Sequence, residues 1–73
     1  MMFSVGTPVE VLNHEKQPIR TGHIAGPLTQ VQYTGGAQTC VYPVELEEGF
    51  YSTDGLTFIK VMLVNQSSIR NVA

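Results

Sequence analysis

The sequence predicts an all-β fold, a small barrel of five to six strands. Two observations carry this: β-branched and aromatic residues gather in short alternating runs, and Gly, Pro, Asn and Asp interrupt the chain at intervals of roughly 8 to 12 residues. A third is negative, because no stretch repeats its apolar residues with a helical period. The 73 residues make one domain, 1–73, since a chain this short buries only about 60% of its unfolded surface and has no material for a second core. With 42% hydrophobic and 14% charged residues, the composition is that of a globular module rather than a disordered tail.

Taken in order, Thr7 to Leu12 alternates so that Val9 and Val11 enter the core while Glu10 points away, and Pro8 suits a strand beginning. Asn13 to Arg20 is polar, contains Pro18, and reads as a loop long enough to carry contacts, with His14, Lys16 and Arg20 as its candidate partner-binding residues. Thr21 to Pro27 is a glycine-flanked strand with Ile24 as its core residue. Thr29 to Thr34 alternates cleanly, setting Val31 and Tyr33 against Gln30 and Gln32, and Gly35-Gly36 turns it into the next strand. That strand, Gln38 to Leu46, places Cys40, Tyr42, Val44 and Leu46 on one side, with Cys40 expected buried and inert; Pro43 implies an edge or a bend.

Asp54-Gly55 is suited to a type I′ hairpin turn that pairs Thr53 with Leu56, Tyr51 with Phe58 and Phe50 with Ile59. One face of this hairpin then carries Phe50, Ile59, Val61 and Leu63, and the other Tyr51, Leu56, Phe58, Met62 and Val64. A small barrel buries only one of two apolar faces, and an uncovered second face is an aggregation hazard. Association through Tyr51, Phe58, Met62 and Val64, as a dimer or tetramer, is the expected solution. Asn65 to Arg70 reads as a short terminal helical turn anchored by Ile69 alone.

From residue 5 to residue 48, the order Gly-x-x-Val-x-Val, polar loop, Gly-x-Ile-x-Gly, Val-x-Tyr, turn, Val-Tyr-Pro-Val resembles an SH3-like small β-barrel, with Asn13 to Arg20 in the place of its long first loop. Gly22-His23-Ile24-Ala25-Gly26 and Val41-Tyr42-Pro43-Val44 resemble the plasmid-borne type II dihydrofolate reductases, a resemblance that implies a tetramer around one active-site pore. The pore motif of that family, Val-Gln-Ile-Tyr, falls on Thr39, Cys40, Val41 and Tyr42, so its glutamine is missing, and its basic first-strand residues fall near Glu10 and Leu12. A pore-forming reductase is therefore a disfavoured third alternative. Tyr42 to Leu46 with Gly49 to Ser52 and Asp54-Gly55 resembles small proteins of mobile elements, including integron gene cassettes, which implies an accessory protein.

Chemistry is sparse. His14, His23 and Glu15 lack the spacing of a metal site, no glycine loop precedes a helix, and neither cofactor nor catalytic residue is expected. Four Lys+Arg against six Asp+Glu give a formal charge of -2, which disfavours nucleic acid without removing it as the alternative partner. No apolar run is long enough to span a membrane, and Met1 to Gly6 lacks the basic and apolar regions of a signal peptide, so a cytoplasmic location is expected. The expected function is a non-enzymatic binding or scaffolding module, homo-oligomeric, with a protein or peptide partner at His14, Lys16, Arg20, Tyr33 and Tyr42.

Overall fold

The computed structural model describes residues 2–32 and 34–72. The chain forms β1 (Pro8–Leu12), β2 (Pro18–Ile24), β3 (Thr29–Gln32), β4 (Gln38–Tyr51) and β5 (Phe58–Asn65), then a 3-10 turn (Gln66–Ser68) and β6 (Ile69–Asn71). All strand pairs are antiparallel, in the order β3-β4-β2-β1-β6 with β5 on the far side of β4. The sheet curls into an all-β, small barrel-like half-barrel. Its core is Val9, Val11, Ile24, Tyr42, Val44, Leu46, Val64 and Ile69, and Phe3, Leu28, Phe50 and Met62 pack against it.

Two irregularities bend the sheet around that core. From Ile24↔Val44 to Thr29↔Val41 the β2–β3 side advances five residues while β4 advances three, so β2 and β3 are one strand broken by two extra residues around Gly26-Pro27. Pro43 lies opposite this break. Its carbonyl accepts from Ala25 N at 2.8 Å, so the side of Pro43 that lacks an N–H faces the irregular segment, and a central strand tolerates the proline. The proline therefore marks a bend and not an edge. From Glu45↔Val61 to Phe50↔Ile59, β4 advances five residues and β5 two; Lys60 Nζ donates to the Glu47 carbonyl at 2.9 Å within this bulge.

The connections differ from their sequence reading in two places. Asn13 to Arg20 is no long loop: Pro18–Ile24 is already β2, and Asn13 to Gln17 is a tight turn. Asn13 Oδ1 accepts from the N–H groups of Glu15 and Gln17, at 2.9 and 3.0 Å, and Lys16 takes the left-handed conformation, φ 64°. In the second hairpin, Tyr51↔Phe58 and Phe50↔Ile59 pair as expected, but the turn is not type I′. Gly55 N donates to Ser52 O at 2.8 Å and only Gly55 has positive φ, which makes a type I turn inside a longer loop closed by Ser52 N to Thr57 O.

Candidate interaction surface

The outer face of the sheet is polar on one side and apolar on the other. Across β6, β1, β2 and β4 runs a line of side-chain contacts: Arg70 Nη2 donates to Glu10 Oε1 at 2.8 Å, and Thr21 Oγ1 donates to Glu47 Oε2 at 3.1 Å. Glu10 pairs with Thr21 between them. One step along, His23 Nε2 lies 3.7 Å from Glu45 Oε2, and Glu45 pairs with Val61. At β5 the polarity ends: Val61 and Leu63 are 48% and 65% exposed, and Leu63 pairs with Pro43. Tyr51 and Phe58 continue the exposed apolar surface along the hairpin, their rings edge-to-face at 5.1 Å.

This corrects the face assigned to self-association. Val64 is buried in the chain's own core and Met62 packs against it, because the β4–β5 register sets Val64 opposite Tyr42 and Met62 opposite Val44. Tyr51 and Phe58 are exposed as expected, and on β5 it is Val61 and Leu63, not Met62 and Val64, that are exposed beside them. The signal for this was the pairing partner of each β5 residue, which alternation alone does not supply.

The proposed partner residues do not form one patch. Tyr42 is 1% exposed, its ring edge-to-face with Phe3 at 5.5 Å and its hydroxyl accepting from Phe3 N at 3.0 Å, so it is a core residue and offers nothing to a partner. Tyr33 lies outside the described residues. His14 projects into solvent at the first turn beside Glu15, and Lys16 Nζ donates to the Ser67 carbonyl at 2.9 Å, tying that turn to the 3-10 turn. Arg20 is half-buried, its guanidinium 3.8 Å from the centre of the Phe50 ring. Cys40 is exposed and not buried, because it precedes the part of β4 that carries the core.

Arg20 belongs to a cleft of about 340 Å³ lined by Ile19, Arg20, Thr21, Glu47 and Glu48. It opens where β2 and β4 diverge beyond Gly22↔Leu46. A second hollow, of about 530 Å³, lies between Phe3 and the 3-10 turn, lined also by Asn65 and Ile69. Among the described residues no three His, Cys, Asp or Glu side chains gather as a metal site would require. Among them, too, no helix is long and apolar enough to cross a membrane. Compared with protein families, curated proteins and solved structures, the chain matches none.

Proposed function

We propose that this chain is a small SH3-like barrel that works as a non-enzymatic binding or scaffolding module and associates with copies of itself. The observation that carries the reading is the exposed apolar surface of the β4–β5 hairpin, where Tyr51, Phe58, Val61 and Leu63 stand 48 to 65% exposed. The SH3-like reading is supported by the strand order β6-β1-β2/β3-β4-β5 with a 3-10 turn leading into the last strand.

The cations argue against a nucleic-acid partner. Lys16 and Lys60 each donate to a main-chain carbonyl, Arg70 is bound to Glu10, and Arg20 lies over Phe50, so no continuous basic track forms from the four. The test is solution mass by light scattering over a concentration series. The wild-type mass should rise above 8.0 kDa, and Leu63→Asp, at an exposed position, should reduce that rise while leaving the β-sheet circular dichroism spectrum in place. A mass of 8.0 kDa at every concentration would remove self-association from the reading.

A further inference from the structure

Alternation of the main chain shows which edge of β5 is available. The Pro43 carbonyl accepts from Ala25, so Pro43 and Glu45 aim their main-chain groups at β2, and Tyr42 and Val44 aim theirs at β5. Their partners Val64 and Met62 answer from β5. Val61 and Leu63, lying between and beside these, direct their N–H and C=O groups away from β4, to an edge that no strand occupies among the described residues.

Edge strands are ordinarily blunted by an outward charge, a proline or a bulge. This stretch, Val61 to Asn65, has no proline and no charged residue. The single charge on β5, Lys60, has its ammonium on the Glu47 carbonyl. The same two residues that offer free main-chain groups carry the exposed apolar side chains, Val61 and Leu63.

We propose that β5 pairs antiparallel with β5 of a second copy, about a twofold axis that passes Met62. This rests on the self-association reading and names its contact. In this register Val61 of each copy faces Leu63 of the other as hydrogen-bonded pairs, with Met62 opposite its own copy between them. The four side chains Val61, Leu63 and their copies form one apolar cluster on the outer face. Lys60 falls opposite Val64 of the second copy, so no like charges meet.

Neighbouring registers are poorer. An axis at Leu63 sets apolar Val61 against the polar side chain of Asn65, whose Nδ2 is held by Thr39 Oγ1 at 2.8 Å. An axis at Val61 calls on Ile59, whose main chain is paired to Phe50 across the hairpin. The apolar side-chain area covered in the pair is on the order of 400 Å², against roughly 1,600 Å² for the whole of a standard interface, so the dimer is weak and forms and dissociates with concentration.

The experiment is amide hydrogen exchange on the wild-type chain at low and high concentration, from about 10 µM to about 1 mM, beside light scattering. At high concentration the mass should approach twice 8.0 kDa, and exchange of the Val61 and Leu63 amides should slow at least about tenfold, while exchange of the Met62 and Val64 amides, already bonded within the chain, changes less. Leu63→Pro removes an N–H that β4 does not use, so the variant should fold and stay monomeric. If the chain associates but the Val61 and Leu63 amides exchange equally fast at both concentrations, the strand pairing is overturned and self-association stands. If the mass stays at 8.0 kDa, both fall. Should Leu63→Pro fail to fold, the wild-type exchange decides alone.

Discussion

Gly22 lets β2 and β4 lie together. A Cβ built there falls 2.2 Å from the Glu45 carbonyl oxygen and 3.0 Å from Leu46 Cα, and both are backbone of the neighbouring strand with nowhere to move. Gly22→Ala should therefore separate the strands next to Ile24 and Leu46 and cost on the order of 3 kcal/mol or more, seen as a large fall in the urea midpoint. An unchanged midpoint would mean that the strands can part without loss of the core. Glycine at 22 was legible as a bend or a close approach, but the partner it approaches was not, because that depends on β4 crossing a long interval of sequence to reach it. Lys16 shows the converse. A left-handed lysine leaves no trace in a polar stretch, and the turn was read as a loop because its organising group, the Asn13 side-chain carbonyl, is one polar atom among many.

At the scale of the element, the β4–β5 hairpin shows what local pattern determines. The pairs Tyr51↔Phe58 and Phe50↔Ile59 follow from alternation around Asp54-Gly55, and they are present. The turn type does not follow, because Asp54 is stabilised in its position by side-chain bonds that a two-residue turn would not allow. Its carboxylate accepts from Leu56 N at 2.9 Å and from Ser52 Oγ, and the Ser52 hydroxyl bond, then the Leu56 amide bond, hold its pKa below the ordinary aspartate value. A depressed folded-state pKa gives stability that is present above the unfolded value and is lost as pH falls through the folded one. The difference in urea midpoint between wild type and Asp54→Ala should be constant above about pH 5 and shrink below about pH 4. A difference that grew on acidification would contradict the ionised carboxylate as the acceptor. Beyond the turn, alternation failed because four residues of β4, 46–49, face a single residue of β5, which resets the faces between Phe50 and Leu46.

For the whole molecule, fold class and most of the core were legible: Val9, Val11, Ile24, Tyr42, Val44 and Leu46 lie where alternation put them. Of the hairpin residues expected to stand exposed, Tyr51 and Phe58 do, whereas Met62 and Val64 turn to the core. Tyr42, expected with Tyr33 at a partner surface, is instead buried, because the N-terminal segment covers it and supplies its hydrogen-bond partner through Phe3, 39 residues away. Ile69, expected as a lone anchor, is 8% exposed and joins the core from β6, paired with Val11. A domain of this size holds only ~4 to 11 kcal/mol. Ile69→Ala should remove about 2 to 4 kcal/mol of that, lowering the thermal midpoint by about 8 °C or more at about 4 to 8 °C per kcal/mol; a shift of a degree or two would show that β6 is dispensable.

The Arg70–Glu10 bond spans 60 residues of sequence, and the β1–β6 ladder beside it joins positions equally far apart. During synthesis, β1 emerges first and waits for its second neighbour until nearly everything between has been made. The β1–β2 hairpin forms from local pairing well before then, with one side of its apolar residues still wet. The order of manufacture thus sets an interval in which β1 has a vacant edge, as long as the making of the 60 residues that separate Glu10 from Arg70, and through it a nascent chain is open to its neighbours on the same message.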